Sequence, residues 1–241
     1  MTGEVAVVES IGDFDSFSYA YEKQMLDALG VFGESSSYFA EYKVNLLASL
    51  VRNEIVKSVL DYGSGIGASN LYLRKSFPNS ELWASDLSET SLNVLRERYP
   101  STKTAHPELL PKKYFDLIFV SCVFHHIPEA NQRQVMELLQ ELLTPNGHLC
   151  IFEHNPYNPI TRRIVSNCEF DEGVILLRKS ELTKLSRESS PTKKIVGGYC
   201  LFFPLFLRKL SVFERMLRWL PMGGQYFVLI SRQDDQEDIN A

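Results

Sequence analysis

Asp61, Gly63, Gly65 and Gly67 stand in the run Val59-Leu60-Asp61-Tyr62-Gly63-Ser64-Gly65-Ile66-Gly67, an apolar stretch ending in a carboxylate and alternating glycines. Without a Cβ the backbone can turn sharply after a strand and let a bulky ligand lie against the main chain where the next helix starts. Such a loop reads as a nucleotide cradle. Asp86 follows 25 residues after Asp61, at the end of a second apolar stretch, where a strand-end carboxylate is placed to accept hydrogen bonds from a ribose diol. Gly63, Gly65 and Ala68 also satisfy a dinucleotide fingerprint, so an NAD-dependent oxidoreductase is an alternative reading. Asp61 weighs against it, because a carboxylate two residues before the first glycine repels a pyrophosphate and suits a cationic ligand without phosphates.

A second set of reactive groups lies downstream. His125, His126, Glu153 and His154 are candidate proton acceptors, and an unperturbed imidazole titrates near 6.5, so a histidine can act as a neutral base. Tyr19, Tyr21 and Tyr157 are candidate walls of a substrate cleft. The segment Phe152-Glu153-His154-Asn155-Pro156-Tyr157-Asn158-Pro159-Ile160-Thr161-Arg162-Arg163 combines two stiffening prolines with polar groups, which suits substrate recognition. Arg162 opens the following helix, where a cation is unfavourable, so it is expected to face an anionic substrate group or to pair with Asp171 or Glu172. No metal is expected: the five histidines do not follow a zinc spacing, and adjacent His125 and His126 point in different directions.

These groups need elements to bring them together. Helix-type spacing over 14–31 and 37–53 precedes the first strand. Strands at 56–61, 81–86, 102–105, 115–121 and 147–153 then alternate with helices at 68–77, 88–98 and 130–143. This predicts a parallel sheet covered on both faces, with ligands at the carboxyl ends of the strands. Asp61, Asp86, His125 and Glu153 all fall there. Residues 194–203 and 225–232 read as two last strands. Between them the insertion 204–224 has Leu210, Phe213, Leu217 and Leu220 at helical spacing beside four cations, which reads as a lid, with a dimer contact or a membrane-surface helix as alternatives.

The chain resembles the class I S-adenosylmethionine-dependent methyltransferases, whose first motif has the form Asp-x-Gly-x-Gly-x-Gly. The likeness continues in Phe115-Asp116-Leu117-Ile118-Phe119-Val120-Ser121, in His125-His126-Ile127-Pro128 and in Leu142-Leu143-Thr144-Pro145-Asn146-Gly147-His148-Leu149. In particular it is similar to bacterial small-molecule methyltransferases that combine the Asn155–Pro159 loop with Phe170-Asp171 and the ending Pro221-Met222-Gly223-Gly224-Gln225-Tyr226. The resemblance implies a Rossmann-like doubly wound, mostly parallel seven-stranded α/β sheet with an antiparallel C-terminal hairpin and an N-terminal helical extension. It implies S-adenosylmethionine as cofactor, S-adenosylhomocysteine as product and a small-molecule acceptor, methylated on oxygen or, as an alternative, on nitrogen; a noncatalytic cofactor-binding protein is a further alternative. It also places Asp61, Gly63, Ser64, Gly65, Asp86, Leu87 and Ser121 at the cofactor. Tyr42 and Lys43 would sit near its methionine carboxylate, and His106 at the adenine edge where many relatives carry Gly-Asp. Asn155, Tyr157, Arg162 and Tyr226 join Tyr19 and Tyr21 on the substrate side.

Composition sets limits. With 241 residues and 44% hydrophobic content, the chain suits one elaborated domain: an extension over 1–54, a cofactor core over 55–155, a substrate and lid region over 156–232, and an acidic tail over 233–241. Net charge is −5, of which residues 232–241 contribute −3, so the body lacks the basic excess expected of a nucleic-acid binder. Cys122, Cys150, Cys168 and Cys200 show no paired spacing and read as reduced thiols of a cytoplasmic protein, monomeric or homodimeric, without a secretory signal or membrane-spanning segment.

Overall fold

The structure is a computed structural model that describes residues 36–52, 54–168, 171, 173–189 and 193–232. The helix expected over 14–31, with Tyr19 and Tyr21, and the acidic tail lie outside these residues. Seven strands form one sheet: β1 (Ser58–Tyr62), β2 (Glu81–Ser85), β3 (Lys103–Ala105), β4 (Phe115–Ser121), β5 (Leu143–His154), β6 (Lys193–Cys200) and β7 (Gln225–Arg232). Their order is β3-β2-β1-β4-β5-β7-β6. The first five pair in parallel, and β7 runs antiparallel to both β5 and β6. Strand order reverses between β1 and β4, and that crevice is where a ligand binds in this architecture.

The two faces follow from strict alternation along the buried strands. Val59, Leu117, Phe119, Cys150 and Phe152 point to one face. There they pack on α1 (Ser36–Leu50), whose Val44 and Leu47 are one helical turn apart, and on Leu73 of α2 (Asn70–Ser76). Leu60, Ile118, Val120, Leu149 and Ile151 point to the other. They meet Met136 and Leu139 of α4 (Glu129–Leu142) and, farther along, Leu182 of α6 (Lys179–Ser189). Between these helices in the chain come α3 (Glu89–Arg98), capped by the Ser88 hydroxyl accepting from the Ser91 N–H, and α5 (Pro159–Ser166), capped by Asn158. Burial on both faces is why β4 reads as an unbroken apolar run. Its start is fixed to β1 by Asp116, which accepts from the Lys57 and Ser58 amides and from the Thr144 hydroxyl. Where β5 crosses the start of β4, a Cβ on Gly147 would come within 2.8 Å of the Phe115 carbonyl oxygen, so this crossing requires glycine.

The insertion differs from its expected form. Residues 205–213 wind as 3₁₀ turns and only Glu214–Leu217, here α7, is α-helical. Phe206, Val212, Phe213, Met216, Trp219 and Met222 are exposed, so no single apolar stripe is buried. What holds the insertion is a polar anchor: Glu214, itself buried, accepts from the Leu201 and Phe202 amides and from the Tyr42 hydroxyl. Tyr42 therefore ties α1 to the insertion. Its hydroxyl is taken, which corrects the expectation that it meets the cofactor.

Candidate active site

The glycine loop begins where β1 ends. Gly63, Gly65 and Gly67 all have positive φ, and a Cβ added to Gly65 would meet nothing within 4 Å. Open space over a bare Cα is what a cradle needs. The loop's own amides are largely used: those of Gly63 and Ser64 donate to the Ser85 carbonyl, and that of Gly65 donates to Asp86 Oδ2 at 2.7 Å. Asp86 Oδ1 accepts from the Ser88 amide at 2.9 Å. This carboxylate locks the loop to the end of β2 and keeps free lone pairs for a diol. Burial is the largest influence on it and raises its pKa against the lowering effect of those backbone bonds. Side chains and the bare Gly65 surface remain for a ligand.

Those side chains are unsatisfied. Among the described residues, Asp61 Oδ2, Ser64 Oγ, Ser85 Oγ and Gln225 Oε1 are buried without a hydrogen-bond partner. Buried polar atoms normally find partners, so a polar ligand along this crevice would restore what folding leaves unpaired. Burial, reinforced by the Asp86 charge and opposed by Lys43, raises the Asp61 carboxyl to about 7. Lys43 is buried, donates to Ser121 Oγ and lies 3.9 Å from Cys122 Sγ, a cation set between β1 and the end of β4. Leu87 is exposed directly after Asp86, and His106 lies close enough to Asp86 to act on its charge while it pairs with Glu108 at 3.0 Å. Asp61 thus lies within electrostatic reach of Asp86 and Lys43, Asp86 within reach of His106, and Ser121 accepts from Lys43.

An expected result follows from the raised Asp61 carboxyl. An acid whose folded pKa exceeds its unfolded 3.8 binds a proton in the folded state that the unfolded chain has released, so stability falls as pH rises from 3.8 to about 7. Asp61→Asn removes this penalty but leaves a buried amide short of partners. The net gain is expected to be about 1–2 kcal/mol at pH 8, vanishing near pH 4. Urea unfolding at both pH values checks it, and a variant less stable than the parent at pH 8 would refute the burial penalty.

The second cluster is set by a strained turn. Cys122, directly after β4, has φ of +59°, a conformation that side chains other than glycine rarely adopt, and its amide donates to the Phe152 carbonyl. Its thiol is lowered to about 7; burial opposes ionisation, and His154 and Lys43 more than offset it. Past this turn Glu153, fully buried, accepts from the amides of Val123 at 2.9 Å and Phe124 at 2.7 Å and holds His125 Nδ1 at 2.6 Å. His125 Nε2 faces Asp171 Oδ1 at 3.3 Å. Burial disfavours charge on this imidazole, but Glu153 and Asp171 outweigh it and raise it to about 10. Both nitrogens are engaged and the ring is charged, which corrects the expectation of His125 as a base. Glu153 has three donors and is likewise a positioning group.

His126 stacks on His125 with ring centroids 4.1 Å apart, and its Nε2 lies 3.4 Å from Asp171 Oδ1. Burial and the neighbouring imidazolium lower it to about 4, in place of the unperturbed value expected from sequence. His154 closes the group from the end of β5, 5.2 Å from the His125 ring and within 3.5 Å of Gln225 Nε2. The sequence offers Asp171 only as a partner for Arg162 and as part of the Phe170-Asp171 pair, not as a partner of the histidines. No spacing links it to His125, 46 residues earlier.

The proposed substrate residues are mostly elsewhere. Asn155 is buried, donates to the Pro221 and Gly223 carbonyls and accepts from the Tyr157 amide, so it clamps the loop instead of meeting a substrate. Tyr226 is a core residue whose hydroxyl donates to the Leu177 carbonyl. Tyr157 is exposed in a depression with Lys179 and Tyr199 over α6, so neither tyrosine blocks the histidine cleft. Arg162 is exposed, and the Asp171 carboxylate expected to pair with it faces the histidines. No helix among the described residues is long and apolar enough to cross a membrane.

Residues 60–149 match the family model described as a methyltransferase domain. Methyltransferase str2 of Strobilurus tenacellus is 26% identical over 116 residues, 44% of this chain and 42% of that protein. An uncharacterized Rickettsia prowazekii protein is 29% identical over 98 residues, 37% of this chain and 39% of its own. The chain therefore spans about two fifths of the length of these relatives. Among solved structures, a SAM-dependent methyltransferase from Thermotoga maritima superimposes with a TM-score of 0.62 at 16% identity, covering 91% of this chain and 98% of the other.

Proposed function

We propose that this chain, whose residues 60–149 match a methyltransferase domain and whose fold is shared with a solved SAM-dependent methyltransferase, moves the methyl group of S-adenosylmethionine to an oxygen of a small-molecule acceptor. The observation that carries the reading is the row of buried, unpartnered polar atoms along the crevice, Asp61 Oδ2, Ser64 Oγ and Ser85 Oγ, beside the open surface of Gly65. When bound, the cofactor supplies an electrophilic methyl group on a sulfonium. Asp86 accepts from the ribose hydroxyls, Lys43 balances the methionine carboxylate, and Asp61 faces the cationic end, with Leu87 and His106 at the adenine.

The protein's remaining task is alignment, exclusion of water and removal of one proton. His126 takes the proton of the acceptor hydroxyl. The oxygen's electron pair then forms the bond to the methyl carbon while the carbon–sulfur pair stays on sulfur, leaving S-adenosylhomocysteine. The position of His126 supports this role, because it is neutral and partly accessible just beyond β4. The 204–224 insertion enters between β6 and β7, next to Gln225 and His154, and covers the acceptor as a lid. Nitrogen as acceptor atom remains the alternative, since the same base serves an ammonium.

Calorimetry with S-adenosylhomocysteine tests the cofactor reading. Asp86→Ala should weaken binding by about 1.5–3 kcal/mol, the usual loss for hydrogen bonds to a charged acceptor. Binding of NAD with S-adenosylhomocysteine ignored would overturn it.

A further inference from the structure

We propose that His125, His154 and Asp171 form a site for a divalent transition metal, with zinc as the best match, opening toward the cleft where the acceptor sits. One ligand atom from each of these residues lies within 4.8 Å of the others. They come from the loop after β4, the end of β5 and the segment after α5, so no sequence spacing could announce them.

Two distances decide what holds them together. A proton shared between an imidazole and a carboxylate draws the two to about 2.7–2.9 Å. The His125 Nδ1 contact with Glu153 is of that kind, at 2.6 Å. On the other side of the same ring, Nε2 stays 3.3 Å from Asp171 Oδ1. Two ligands each about 2.0–2.1 Å from a tetrahedral zinc lie about 3.3–3.4 Å apart. The 3.3 Å between His125 Nε2 and Asp171 Oδ1 matches the separation of two ligands on such an ion.

The chemistry of the donors agrees. A carboxylate behind a histidine fixes the tautomer so that the far nitrogen presents its lone pair, and Glu153 does this for His125 with both side chains only 1% exposed. Two imidazoles and one carboxylate suit zinc, cobalt or iron(II) better than magnesium or calcium. Three protein ligands leave a position open, as in sites where a metal holds a reacting oxygen. Asp171, 12% exposed, and the partly exposed His154 border the cleft. The class of acceptor then follows: a small molecule whose hydroxyl or carboxylate oxygen can complete the coordination. This last point rests on the methyltransferase reading, whereas the metal site itself does not.

The test uses the untagged full chain, stripped with chelator and titrated with zinc chloride by calorimetry. One equivalent should bind with micromolar or tighter Kd. Asp171→Asn and His154→Gln should each weaken this by at least about 100-fold, and Glu153→Gln, which acts through His125, by about 10–100-fold. S-adenosylhomocysteine affinity of Asp171→Asn should stay within twofold of the parent, which also shows that the variant is folded. Cobalt(II) in place of zinc should give visible absorption bands that His154→Gln abolishes. Zinc affinity unchanged by both ligand substitutions, or absent in the parent while S-adenosylhomocysteine still binds, overturns the metal site and leaves the methyltransferase reading standing. Zinc binding without S-adenosylhomocysteine binding has the opposite meaning.

Discussion

Glu153→Ala is expected to lower the free energy of unfolding by about 3–5 kcal/mol. The carboxylate is fully buried, and its removal strands the amides of Val123 and Phe124 and leaves the ring of His125 with Asp171 as its remaining carboxylate. An unpaired buried charge costs far more than a paired one gains, because nothing replaces the water it gave up. Glu153→Gln keeps an oxygen for the amides and should lose less than half as much. Urea unfolding in the presence of chelator measures both. A loss below about 1 kcal/mol for the alanine variant would show that the turn after β4 is held by its strained backbone and apolar packing alone.

His126→Ala should lower kcat by roughly 10²–10⁴ while leaving S-adenosylhomocysteine affinity nearly unchanged, since a positioned base typically contributes that range. The ring lies beyond β4, partly accessible and 3.4 Å from Asp171 Oδ1, whereas the cofactor crevice is built by β1, β2 and Lys43. The two functions should therefore separate. The measurement is single-turnover methyl transfer to whichever acceptor reacts fastest in a panel of small hydroxy compounds. A loss under tenfold would leave His126 as a wall of the pocket and direct attention to His154. A parallel loss of cofactor affinity would mean that the two regions are one.

Much of the architecture is legible in the amino-acid sequence. Alternation of apolar strands with helical segments, and a carboxylate followed by spaced glycines, are local patterns fixed by the two-residue and 3.6-residue periods of side-chain direction. The boundaries of β4 and the placement of Asp61 and Asp86 at the ends of neighbouring strands follow directly from them. The insertion departs from its expected form because spacing records which residues could share a face, not whether anything buries that face. Phe213 keeps the helical spacing and is nevertheless 53% exposed.

The sequence by itself determined the doubly wound sheet, the glycine crevice with its two acids, and the presence of histidines at strand ends. Only the tertiary structure decided their roles. Charge state depends on what surrounds a group in three dimensions, so His125 becomes a cation between two carboxylates while its neighbour His126 stays neutral. Asn155 and Tyr226, polar and well placed in the chain, are consumed by the Gly223 and Leu177 carbonyls. Asp171 joins His125 and His154 although no period links them, because pairing of β4 with β5 brings the ends of these strands side by side and Asp171 meets the two histidines there.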